Sequence, residues 1–143
     1  MGWASLLPIF IATVISFAFG AIWYGPLFGK KWMKLIGFTK KSMKAMKLKP
    51  ATAMVLGFIS TFVMVYILSI FVTTYNFCGE GWTNIKISLV MGLLIWFGLI
   101  ATLSLGSFLW EGKSFKLYIF NNIYYLINIE LIVVILNLCT FYF

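Results

Sequence analysis

The sequence predicts an all-α polytopic membrane protein: four transmembrane helices with a lysine-rich interfacial segment on the cytoplasmic side. Three observations carry this. Of 143 residues, 63% are hydrophobic while only 11 are basic and 3 acidic. The mean hydropathy of +1.05 leaves too little polar material to clothe a water-soluble domain. Finally, charge-free runs cover 1–29, 50–79 and 87–110, and 117–143 holds the single charge Glu130. Each run exceeds the ~20 residues that cross the hydrocarbon as a helix, so residues 1–143 read as one four-helix transmembrane domain.

The first span is expected from about Pro8 to Tyr24. Pro8 sits in its first turn, where a missing N–H costs little. Gly25-Pro26 then ends or kinks it. Nothing basic precedes the run and no small-x-small site closes it, so this segment reads as a retained helix and not as a cleaved leader.

Residues 30–49 follow. Trp32, Leu35, Ile36, Met43 and Met46 recur near a 3.6-residue period with lysines between them, the pattern of a helix lying in the membrane interface. Gly37 and Thr39 should break it in two, with Thr39 capping the second piece. A loosely ordered loop that only enforces topology is the alternative. Lys30, Lys31, Lys34, Lys40, Lys41, Lys44, Lys47 and Lys49 are the candidate contacts with anionic headgroups.

The second span opens at Pro50 and runs to about Tyr75, the third covers roughly Ile87–Leu109, and the fourth roughly Leu117–Phe141. Lys113 and Lys116 join the eight lysines of 30–49 on one side, against Lys86 alone on the other. The positive-inside rule makes the crowded side cytoplasmic and leaves both termini outside, in an inner (plasma) membrane. Trp3 and Trp82 fall at outer ends, and Trp23, Trp32 and Trp110 at inner ends, where indoles prefer to lie. Small residues at four-residue spacing suggest packing seams: Ala12, Ser16 and Gly20; Ala53, Gly57 and Thr61; Gly98, Thr102 and Gly106.

The absences limit the chemistry. Without histidine or arginine, Ser/His/Asp and Cys/His nucleophilic centres have no ordinary form. Two cysteines cannot build a four-thiolate zinc site or an iron–sulfur cluster, and no glycine-rich phosphate loop occurs. No cofactor or metal is therefore expected. Lysines clustered between spans point to membrane lipids and not to nucleic acid. Cys78 and Cys139 share the outer side and form a candidate disulfide, unless each is simply a small hydrophobe.

Glu130 lies 14 residues beyond Lys116, about 21 Å of helix and close to the bilayer midplane. Its insertion costs ~3 kcal/mol, against roughly −0.3 to −0.6 kcal/mol for each of the thirteen Leu, Ile, Val and Phe residues in 117–136. The helix still inserts, but the carboxyl must be protonated, paired or wetted. Asn137 follows Glu130 by seven residues and shares its face, while Asn121 and Asn128 share a face roughly opposite. Two readings stay open. Glu130 is a proton- or cation-binding group with Asn121, Asn128 and Asn137 as lining, or it is interhelical glue bonded to a backbone carbonyl or to Thr13, Thr61 or Ser104.

Gly20-Ala21-Ile22-Trp23-Tyr24, Gly25-Pro26-Leu27-Phe28-Gly29 and Lys31-Trp32, followed by Glu111-Gly112-Lys113, Asn121, Asn122 and Tyr125, resemble a bacterial membrane family catalogued as domain of unknown function 1761. The resemblance implies about four spans and assigns no chemistry. It marks Trp23, Tyr24, Pro26, Phe28, Gly29, Trp32, Glu111 and Asn121, with Tyr125 beside them, as an inner-side candidate site; Glu130 and so lysine-rich a loop are not features of that family. Three functions remain. The first is an oligomeric accessory protein that binds lipid or a membrane partner. The second is a small solute or ion transporter or channel using Glu130. The third is a lipid- or quinone-directed enzyme with Glu111, Tyr24 or Tyr125 as acid or base.

Overall fold

The computed structural model describes residues 6–78 and 85–142, apart from the side chains of residues 43, 75–78 and 140–142. Helix α1 spans Leu6–Ile22 and continues through a π-helical turn, Trp23–Leu27, into α2, Gly29–Ile36. After α3, Lys40–Lys44, comes α4, Pro50–Cys78. The third long stretch comprises α5, Ile85–Ile95, a second π-helical turn, Trp96–Ala101, and α6, Thr102–Leu109. Helix α7, Phe115–Tyr142, completes the fold, and no strand occurs among the described residues. Leu6–Leu27, Pro50–Thr74, Ile85–Leu109 and Phe115–Cys139 are each long and apolar enough to cross a membrane. The chain is a multi-pass membrane protein.

The punctuation follows from local chemistry. Pro50 is the first residue of α4, where its missing N–H would have no partner anyway. Pro26 offers no N–H to the helical ladder, and Gly25 leaves helical geometry at φ −104°, ψ −107°. The ladder closes again through the Phe28 N–H on the Trp23 carbonyl at 3.0 Å, a five-residue step. Gly37 ends α2 at φ +68°, and the Phe38 N–H reaches back to the Met33 carbonyl at 2.9 Å, a Schellman closure that favours glycine. Thr39 caps α3 as its position suggests: Oγ1 accepts from the Ser42 N–H at 3.3 Å while Ser42 Oγ accepts from the Thr39 N–H at 2.8 Å.

Helix α7 is the hub. It packs against α1, α4, α5 and α6, while α1 and α4 also pack on each other. Their shared core is Ile9 and Ala12 of α1, Val65, Leu68 and Val72 of α4, and Ile129, Ile132, Val133 and Leu136 of α7. The third span rests chiefly on α7 and leaves Leu94, Phe97 and Leu103 exposed, a surface suited to lipid.

The first small-residue seam packs against α7: Ala12 and Ser16 are buried, and a Cβ on Gly20 would stand 2.7 Å from the Tyr124 hydroxyl. Gly57 in the second seam lies against Phe17 of α1. The third seam is not a seam. Thr102 is exposed and a Cβ on Gly98 would meet nothing, whereas Ser88, Gly92 and Ala101 are the buried small residues. An uninterrupted helix would bring Gly106 under Ser88 after roughly five turns. The π turn inserts one residue into that register and rotates everything after it by about 100°.

Substituting into these faces should separate packing from lipid exposure. Ala12→Leu should destabilise the detergent-solubilised protein by about 1–3 kcal/mol through overpacking. Thr102→Leu should stay within about 0.5 kcal/mol of wild type. Thermal unfolding of the two variants in one detergent checks both.

Candidate functional site

Most of the residues expected to form an inner-side site converge around the first π turn. Trp23 and Tyr24 follow Gly20 by three and four residues and so share its α7-facing side. The Trp23 ring lies 4.6 Å from Phe28, 5.7 Å from Phe19, 5.7 Å from Phe120 and 5.9 Å from Tyr124. Tyr24 lies 5.2 Å from Trp32 and 4.8 Å from Tyr124, and its hydroxyl donates to Asn121 Oδ1 at 3.1 Å. Lys31 Nζ stands 5.9 Å from the Phe120 ring centroid, within cation–π range. Gly29 is required by contact: a Cβ there would fall 2.7 Å from the Tyr24 carbonyl oxygen. The rings meet one another at packing distance, with the Trp23 indole N–H buried and without a hydrogen-bond acceptor. The cluster is thus a clasp that fastens the turn to α7, with Tyr24–Asn121 as its polar rivet.

Phe19, Phe120 and Tyr124 were not among the sequence candidates. Phe120 and Tyr124 stand four apart on α7, as do Phe19 and Trp23 on the first span, so helical spacing could have paired them. Tyr125 reaches the clasp only by its edge contact with Tyr124 at 5.6 Å. Pro26 and Glu111 are exposed, Glu111 in the turn between α6 and α7, and neither joins the ring cluster.

The midplane candidates divide between two neighbours of α7. On one side Asn128 Oδ1 accepts from Ser16 Oγ of α1 at 2.9 Å, both residues buried. On the other side Asn137 donates through Nδ2 to Ser88 Oγ of α5. Asn122 donates to Ser104 Oγ at 2.9 Å, its carbonyl accepts the Trp96 indole N–H at 3.0 Å, and the Tyr118 hydroxyl donates to the Ala101 carbonyl at 3.0 Å. These last bonds satisfy groups around the second π turn. The opposed asparagine faces read from the sequence therefore meet helices of the same chain.

Glu130 faces α5. A Cβ on Gly92 would lie 2.9 Å from its Oε1 and 3.0 Å from its Oε2, and Oε2 is buried without a hydrogen-bond partner. The hydroxyls suggested as glue are engaged elsewhere: Thr13 with the Ile9 carbonyl, Thr61 with the Gly57 carbonyl and Ser104 with Asn122. Cys139 carries a free thiol, and the side chain of Cys78, its expected partner, lies outside the described residues. Among the described residues no three His, Cys, Asp or Glu side chains gather as a metal site.

A family model described as "Protein of unknown function (DUF1761)" matches residues 7–137. No curated protein and no solved structure matches the chain.

Two substitutions grade the clasp. Gly29→Ala sets a methyl group against backbone and should cost about 1–3 kcal/mol. Tyr24→Phe removes one interhelical bond and should cost under about 1 kcal/mol. Trp fluorescence during thermal unfolding reads both, and a Gly29→Ala protein as stable as wild type would contradict the close approach at Tyr24.

Proposed function

Because the chain belongs to the DUF1761 family, whose function is unknown, we propose that it is a membrane accessory protein acting by binding, with its lysine end gripping anionic headgroups at the cytoplasmic face of the inner membrane. The observation that carries this reading is the placement of charge. Eight of eleven lysines lie between Lys30 and Lys49, on or beside α2 and α3, and Lys113 and Lys116 lie in or next to the turn at the same end of the spans. Lys30, Lys31, Lys34, Lys40, Lys41, Lys44, Lys47 and Lys49 are all exposed, while Trp32, Leu35 and Ile36 of α2 are half-buried. A segment with that division suits the headgroup layer: apolar side chains turn inward and each ammonium near the surface gains about 1 kcal/mol from anionic lipid.

The same bias supports the orientation, because lysine-rich short loops are retained on the cytoplasmic side. Both termini then face outward. Self-association belongs to this reading as well, with the exposed face of the third span as the surface a second copy would meet.

Lipid-dependent stability tests it. Phosphatidylglycerol added to the detergent-solubilised protein should raise its unfolding temperature more than phosphatidylcholine does. The difference should shrink with salt, since the attraction is screened within a Debye length, and should largely vanish when Lys40, Lys41, Lys44 and Lys47 are replaced by Gln. Equal effects of the two lipids on the wild type would refute the proposal.

A further inference from the structure

The contact between the third span and α7 is a polar seam in which one group stands apart. Toward one end Asn137 donates to Ser88, and toward the other Asn122 joins Ser104 and Trp96. Glu130 lies between these pairs, its Oε2 buried and without a hydrogen-bond partner, against the bare backbone of Gly92. Among the described residues the seam grants that carboxyl space and no counter-charge. On α5 it meets a helix whose cation, Lys86, lies six residues from Gly92, about 9 Å of rise. Helices α1, α4 and α6 contain no charged residue. Along α7 the next charge, Lys116, is 14 residues away, about 21 Å. The other described titratable side chains of α7 are occupied or remote: Tyr118 bonds the Ala101 carbonyl, Tyr124 and Tyr125 sit at the clasp, and Cys139 lies nine residues on. On α4, Tyr66 packs against the apolar core.

One flank of the carboxyl is open. Ile123 and Ile127, seven and three residues before Glu130 and so on its side of the helix, are 48% and 41% exposed. Glu130 itself is half-buried. Its side chain therefore stands at the lipid-facing edge of the seam, near the middle of the span.

We propose that Glu130 and Gly92 form a proton-binding site entered sideways from the lipid. The carboxyl holds its proton in the resting protein, because an ionised carboxylate at this place has neither a cation nor a donor to replace water. Gly92 supplies the room that keeps the group in the seam. This proposal is independent of the headgroup reading, which concerns the other lysine-bearing end of the molecule.

A lipid-soluble carbodiimide, N,N′-dicyclohexylcarbodiimide, tests it in the full-length protein reconstituted in liposomes. The carboxyl O–H adds across one C=N bond, its proton going to nitrogen and its oxygen to the central carbon. The O-acylisourea then rearranges by oxygen-to-nitrogen acyl transfer to a stable N-acylurea, with nothing leaving. Peptide mass spectrometry should find one reagent molecule on Glu130 at neutral pH, where carboxyls in water are ionised, and none on the exposed Glu111. The rate should fall at alkaline pH, and the adduct should be absent from Glu130→Gln. A water-soluble carbodiimide should leave Glu130 unmodified. Gly92→Ala, which displaces the flexible end of Glu130 toward the lipid, should label several-fold faster, while Gly98→Ala should match wild type. Should Gly92→Ala fail to fold, Glu130→Asp serves instead: its shorter side chain withdraws from the lipid edge and should label several-fold more slowly. The proposal is overturned by an unlabelled Glu130, by equal labelling of Glu111, by a rate indifferent to pH, or by equal rates in Gly92→Ala and wild type.

Discussion

Inside hydrocarbon a polar group has no water to fall back on, and this constraint organises the molecule around α7. That helix carries Asn121, Asn122, Asn128, Glu130 and Asn137, more polar side chains than an isolated span could present to lipid without cost. Its answer is to be surrounded. Ser16 takes Asn128, Tyr24 takes Asn121, Ser104 takes Asn122 and Ser88 takes Asn137. Each bond is modest, about 0.6 kcal/mol on average in measured membrane proteins. Together they fix which face of α7 meets which neighbour, a matter that apolar side chains leave undetermined because lipid accepts them equally well.

The two π turns serve the same end. A π turn shifts helical register by one residue and frees carbonyl groups from the ladder, which in lipid must find other donors. Around the second turn the Ala101 carbonyl receives Tyr118, and the facing Asn122 carbonyl receives Trp96. At the first turn, the consequence is steric as well. Gly25-Pro26 breaks the ladder, Gly29 admits the Tyr24 carbonyl, and Phe28 beyond the break returns to Trp23 and Phe120. Both spans that rest on α7 from opposite sides thus carry a register shift beside one of its asparagine contacts, while Ser16 and Ser88 meet Asn128 and Asn137 from regular helix. The α1–α4 contact, which is apolar, uses ordinary helix and aromatic packing between Phe17 and Phe58.

Glu130 is the exception to this pairing. Every asparagine of α7 facing a neighbour has a partner, and the carboxyl has a cleared space instead. A group retained as structural glue would be matched to a donor or hydroxyl, as Asn137 is matched to Ser88. The clasp at the kink shows the opposite economy, since its rings fill their own space and leave little unspent. The two regions singled out from the sequence thus have different physical characters: one is ring packing closed around a single unmatched indole N–H, the other a carboxyl set against a bare glycine backbone.

Much of this was legible in the residues. Four long apolar runs dictate four helices because only a helix satisfies its own backbone in lipid, and Pro50, Gly37 and Thr39 mark boundaries through local geometry alone. Spacing by seven put Glu130 with Asn137 and Asn121 with Asn128 on separate faces, as each pair's separate neighbour bears out. The partners themselves were not legible. Gly98, Thr102 and Gly106 read as a seam because periodicity assumes an unbroken helix, and the π turn before Thr102 broke it. The role of Gly92 could not be read either, since a glycine's lack of a side chain acquires meaning only when another helix brings a carboxyl into the space a Cβ would need. Hydropathy and local stereochemistry act along the chain and are written in it, whereas register between helices is settled by how unlike surfaces fit, and that belongs to the assembled structure alone.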